Sequence, residues 1–161
     1  MKILRQNVFD GPNVHSHYPV IEMRLDLEEL DGLTTQDVPG FVDRLLRAMP
    51  TLREHYCSLG RPGGFAQRLL EGTYFGHVLE HLTLELEALA GMRVIYGKTR
   101  YAGAPRLYNV VYEYTAREAG LAAGRLALEI LTALAAGEER GVADAVAQVR
   151  ETMERCEPGP S

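Results

Sequence analysis

His77-Val78-Leu79-Glu80-His81 sets two imidazoles four residues apart, with a carboxylate directly before the second. The pattern is H-x-x-E-H, the inverted zinc-hydrolase motif, in which the histidines bind metal and the glutamate moves protons. On a helix, residues four apart share a face, so His77 and His81 could hold one ion between them. Glu80 lies about 100° around the helix from His81, within reach of a water beside that ion. The same spacing serves core packing equally well, and the motif alone lacks the third protein ligand that a catalytic zinc takes.

Three carboxylates compete for that third place. Glu85 shares the face of His77 but lies eight residues on, about 12 Å of helical rise, too far for one ion on a straight helix. Asn109, Val111 and Glu113 share one face of a strand, and Glu113 is a polar intruder where burial is expected, so it wants a metal or an arginine. Glu118 opens the next helix, where a first-turn acid is also what the helix dipole favours. Glu113 is the reading carried forward, with His77 and His81, in a site suited to zinc or another divalent metal.

The elements that must position these residues follow from periodicity. Lys2 to Phe9 reads as a strand stopped by Asp10-Gly11-Pro12-Asn13, and Val20 to Leu27 alternates with period two. Asp37 to Met49 reads as a helix capped by Thr35 or Asp37, with Pro39 in its first turn and Pro50 after it. After the glycine-rich loop Cys57 to Gly64 come a short helix, Phe65 to Leu70, and the motif helix, about Thr73 to Ala90, ended by Gly91. Met92 to Lys98 and Leu107 to Tyr114 read as strands, followed by helices at Arg117 to Ala136 and about Val142 to Arg155. The order ββ-ααα-ββ-αα predicts an α+β fold, a mostly antiparallel four-stranded sheet packed with helices. One domain is expected over residues 1–156, with a linker-like tail over 157–161.

Gly97-Lys98-Thr99 is not a phosphate loop, because the glycine required five positions earlier is Met92 and a strand pattern lies between. No nucleotide is expected. Arg61, Lys98 and Arg100 gather in turn-rich stretches, where arginine's forked donors suit carboxylates. His15 and His17 share a strand-like spacing, though metal binding there is disfavoured. The 161 residues carry a net charge of -5, against a nucleic-acid binder. Two cysteines exclude a disulfide framework, and with no signal-like or membrane-length apolar run the expected location is the cytoplasm, away from membranes.

Many short segments fall in a familiar order. Gly11-Pro12-Asn13, Met23-Arg24-Leu25-Asp26-Leu27, Pro39-Gly40-Phe41, Cys57-Ser58, Gly63-Gly64-Phe65 and Glu71-Gly72-Thr73 lead into Gly76-His77-Val78-Leu79-Glu80-His81. Leu84-Glu85-Leu86, Gly91-Met92, Gly97-Lys98-Thr99-Arg100 and Tyr108-Asn109-Val110-Val111-Tyr112-Glu113-Tyr114 follow. From Met1 to about Leu131 the chain resembles the amino-terminal domain of the cyanophycin synthetase family. That family's full enzyme joins aspartate and arginine into cyanophycin using ATP-grasp and Mur-ligase-like modules, neither of which fits in 161 residues.

The resemblance implies two roles for such a domain: holding the polymer near those modules, and cutting it into primer chains at a metal-dependent site. It implies Glu80 as the proton-transfer residue of the cut, at a zinc site containing His77 and His81. Arg61, Lys98, Arg100 and Asn109 are the expected polymer contacts. A non-catalytic, polymer-holding domain with a vestigial motif is the alternative. An oligomer is compatible with either.

Overall fold

The computed structural model describes residues 1–156, so the expected linker at 157–161 lies outside the described residues. The alternating stretches form β1 (Lys2–Phe9) and β2 (Val20–Asp26), and β3 (Gly97–Tyr101) and β4 (Leu107–Glu113) complete one sheet. Its order is β1-β2-β4-β3, antiparallel throughout, as the paired hairpins imply. The helices are α1 (Phe41–Ala48), α2 (Gly64–Glu71), α3 (Phe75–Ala90), α4 (Arg117–Ala135) and α5 (Ala143–Cys156). No helix among the described residues is long and apolar enough to cross a membrane.

Ile21, Met23 and Leu25 of β2 and Val110 and Tyr112 of β4 point to one face, where α3 and α4 cover them. Small residues let α4 approach closely: a Cβ on Gly120 would stand 2.8 Å from the Tyr114 side chain. A Cβ on Gly124 would fall against the Tyr112 hydroxyl. The central element is α3, with thirteen of its sixteen residues buried, packed against the sheet, α4 and α5. A helix buried nearly all round needs no polar stripe. The motif is therefore held by the most enclosed helix of the molecule.

Two predicted boundaries move. The first helix begins at Phe41 rather than Asp37, after Gly40 at a left-handed φ of 69°. Asp37 and Thr35, the expected caps, are engaged elsewhere. The Asp37 carboxylate accepts the Thr34 amide at 2.7 Å and the Thr34 hydroxyl at 2.8 Å, closing a turn. The Thr35 hydroxyl donates to the Leu69 carbonyl at 2.8 Å. Strand β3 begins at Gly97 rather than Met92. The amides of Ile95 and Tyr96 are taken by the Glu113 carboxylate at 3.0 and 3.1 Å, so they are lost to a regular ladder.

Candidate metal centre

The chain enters α3 from an anchored extended segment. The Thr35 amide donates to the Thr73 carbonyl at 2.9 Å, and Thr34 bridges Tyr74. The helix then starts at Phe75 and carries His77 and His81 on one face of its first two turns. Their Nε2 atoms lie 3.2 Å apart, with the rings at 77°. Phe65, at the start of α2, stacks on His81 at 3.8 Å between centroids and meets His77 edge-on.

The third converging donor is Cys57, from the glycine-rich loop, whose Sγ lies 3.4 Å from Nε2 of His77. The loop is tight: the Gly60 amide returns to the Cys57 carbonyl at 2.8 Å, and a Cβ on Gly64 would press on Cys57 and Leu59. Ligand atoms of Cys57, His77 and His81 all lie within 4.8 Å of one another. Zinc–nitrogen and zinc–sulfur bonds near 2.1 and 2.3 Å at tetrahedral angles put donors about 3.3–3.7 Å apart. The 3.4 Å separation of Cys57 and His77 falls in that range and the 3.2 Å between the two Nε2 atoms just below it.

Burial, and secondarily the charge of Arg68, lower the His77 pKa. Burial, then the neighbouring His77 and His55, push His81 down to about 2. Both rings are thus neutral at physiological pH, with lone pairs to offer. The Thr73 hydroxyl, 2.9 Å from His77 Nδ1, occupies the far side of that ring. On the far side of His81, Nδ1 lies 3.1 Å from Nδ1 of His55, and Nε2 of His55 meets the Glu85 carboxylate.

Glu80 lines the same cavity, of about 410 Å³, as Cys57, His77 and His81. Burial raises its pKa to about 7, against the opposing pull of the Thr99 hydroxyl, which donates to Oε2 at 2.7 Å. Gly97 makes room for it: a Cβ there would stand 2.7 Å from Glu80 Cγ. A second cavity, about 650 Å³ and reaching Thr51, Glu54 and Glu85, shares Tyr56, His81, Leu84 and Ile95 with the first.

The other predicted site residues lie apart from this convergence. Glu113 is buried and partnered, as a polar intruder must be, but its partners are the Ile95 and Tyr96 amides, not the two histidines. Glu118 is exposed in the first turn of α4, and Glu85 reaches His55 rather than His77. Lys98 and Arg100 alternate with Gly97 and Thr99, which face α3, so they point to the opposite face of β3. Asn109 pairs with Arg100 across the strands and has a buried Oδ1 without a hydrogen-bond partner among the described residues. Arg61 is exposed and donates to Gln67. His15 contacts Glu22 and Phe9, away from the cluster.

Sequence reasoning missed Cys57, His55 and Arg68. Cys57 and His55 precede His77 by twenty residues or more, and only the turn from Pro50 into the glycine loop returns them to α3.

A family profile described as cyanophycin synthase-like N-terminal domain matches residues 22–136. The cyanophycin synthetase of Geminocystis herdmanii is 46% identical over 136 residues, covering 83% of this chain and 16% of that protein. The cyanophycin synthetase of a Synechocystis species is 47% identical with the same coverage. That of Crocosphaera subtropica is 48% identical over 132 residues, 81% of this chain and 15% of the relative. The chain thus spans about a sixth of the length of these relatives.

Proposed function

Since the chain belongs to the cyanophycin synthase-like N-terminal domain family, we propose that it is a metal-dependent peptide hydrolase. Its substrate on this reading is cyanophycin, the arginine-bearing polyaspartate, cut into short chains that the ligase modules of a full-length enzyme extend. The observation that carries the reading is the convergence of Cys57, His77 and His81 beside Glu80 in one cavity. Neutral imidazoles and a thiolate are donors suited to zinc.

Cys57, His77 and His81 would hold the metal, which supplies Lewis-acid polarisation of the scissile carbonyl when bound. Glu80 removes a proton from the attacking water and returns it to the leaving amine. A carboxylate midpoint near 7 suits both halves of that exchange at neutral pH. Thr99 aims the carboxylate through the 2.7 Å hydrogen bond to Oε2, leaving Oε1 for the water. Lys98, Arg100 and Asn109, on the outer face of the edge strand, and Arg61 on the loop grip carboxylates of the polymer.

One observation favours a second reading, a domain that holds polymer without cutting it. Arg5, Arg24 and Arg100 stand in one row across the outer sheet face with Lys98 beside them. The acids of that face are Glu22, Asp26, which pairs with Arg106, and Glu113, which the Ile95 and Tyr96 amides occupy. Such a face suits a carboxylate-rich chain whether or not the site next door is active.

Glu80→Gln separates the two. The hydrolytic reading expects roughly 10²- to 10⁴-fold slower shortening of cyanophycin, with zinc binding and polymer binding kept. A variant as active as the parent would remove Glu80 from the chemistry.

A further inference from the structure

We infer that His55 and Glu85 are positioning residues that determine which ring nitrogen His81 presents to a divalent cation; this rests on the metal-site reading above. Phe65 stacked at 15° fixes the plane of the His81 ring, yet a stacked apolar ring cannot distinguish the two ring faces' nitrogens after a 180° flip. Something polar must do so, and it lies on the Nδ1 side. His55 Nδ1 is 3.1 Å from His81 Nδ1, and the other nitrogen of His55 meets the Glu85 carboxylate.

The direction of each hydrogen bond in the metal-holding state follows from what each group can do. An ionised carboxylate only accepts, so His55 donates to Glu85 from Nε2. A neutral imidazole with its proton on Nε2 has an acceptor at Nδ1, so His81 donates from Nδ1. Nε2 of His81 then carries the lone pair, and it is the nitrogen that faces Nε2 of His77 at 3.2 Å. The chain Glu85–His55–His81 thus supplies what a histidine ligand takes from a carboxylate behind it, with one extra imidazole inserted as a spacer.

The backbone holds the spacer in place. The Pro50–Glu54 turn ends at His55, whose amide returns to the Leu52 carbonyl and whose carbonyl accepts the Phe65 amide at 3.2 Å. The residue that stacks on His81 and the residue that fixes its flip are therefore tied by one main-chain hydrogen bond. Glu85, two turns beyond His77, could not ligate the ion itself, but it reaches the site through His55.

Zinc affinity, measured by chelator competition, and the visible spectrum of the cobalt(II) form test this on the full chain. His55→Ala is expected to weaken zinc binding roughly 10- to 100-fold. His55→Gln, whose side-chain carbonyl can accept from His81 Nδ1, recovers part of the loss. Because Glu85 acts through His55, adding Glu85→Gln to His55→Ala costs nothing further, whereas Glu85→Gln alone weakens binding. Circular dichroism of the metal-free variants reports folding, and His55→Gln keeps the test alive if His55→Ala does not fold. Parent-like affinity and cobalt spectrum in folded His55→Ala, or full additivity of the two substitutions, overturns the inference while leaving the metal site standing. A parent chain that binds neither metal overturns both.

Discussion

Among the individual residues, Cys57 has the most to prove. Its thiol stands 3.4 Å from His77 Nε2 and completes a three-donor cluster, yet it sits in a loop rather than on the motif helix. Serine in its place keeps a small polar group but offers a poor zinc ligand. Cys57→Ser is therefore expected to lower zinc affinity by more than roughly tenfold, read by chelator competition; unchanged affinity would remove Cys57 from the ligand set. His77, Glu80 and His81 were readable from sequence because helical spacing alone juxtaposes them. Cys57 and His55 were not, because their approach depends on a turn and a loop whose path no local pattern encodes. Glu113 was correctly seen as a buried acid needing a partner, but amides of a neighbouring irregular segment serve that need as well as a metal does.

At the scale of elements, α3 and β3 set the position of the Glu80 carboxylate together. Gly97 is where they touch, and a methyl group there would overlap Glu80 at 2.7–2.8 Å and Leu84 at 2.9 Å. Gly97→Ala should displace Glu80 and slow hydrolysis by roughly 10²-fold while leaving the histidine and cysteine donors, and hence zinc affinity, largely intact. Equal losses of affinity and rate would contradict that division of labour. Further along α3, Glu87 is fully buried and neither carboxyl oxygen has a hydrogen-bond partner among the described residues. Burial, then the charge of Glu113, raise its pKa well above the ordinary value of 4.5.

A raised folded-state pKa means that the native state favours the protonated form. Stability tied to this group is thus complete below about pH 4.5 and falls as pH rises from there toward the folded-state midpoint. Glu87→Gln should accordingly raise the melting temperature relative to the parent at pH 8, with the gain shrinking at pH 5. A gain that is the same at both pH values would show that Glu87 is not held protonated. The period-two strands and the alanine-rich α4 were legible because burial of one face imposes the pattern. The starts of α1 and β3 were not: left-handed Gly40 delays the helix to Phe41, and the Glu113 carboxylate captures the Ile95 and Tyr96 amides that the local pattern would assign to a ladder.

Across the whole molecule, the sheet separates two chemistries. Its inner face lies under α3, which carries half-buried His77 and buried His81, and α4; its outer face bears the arginine row and Lys98. The edge strand β3 joins them, since Gly97 and Thr99 face Glu80 and Lys98 and Arg100 face outward. On the proposed reading, a polymer held on the outer face would cross this edge to reach the cavity, which would give holding and cutting a common geometry. The α+β architecture and its antiparallel sheet were predictable from the grouping of elements, whereas the strand order β1-β2-β4-β3 and this division between faces needed the register of all four strands. The most direct measurement is the length of purified cyanophycin after incubation with the chain stripped of metal, then with zinc restored. Shortening that appears only with zinc is the predicted result; polymer that binds but keeps its length with zinc bound to the protein would contradict a hydrolytic role.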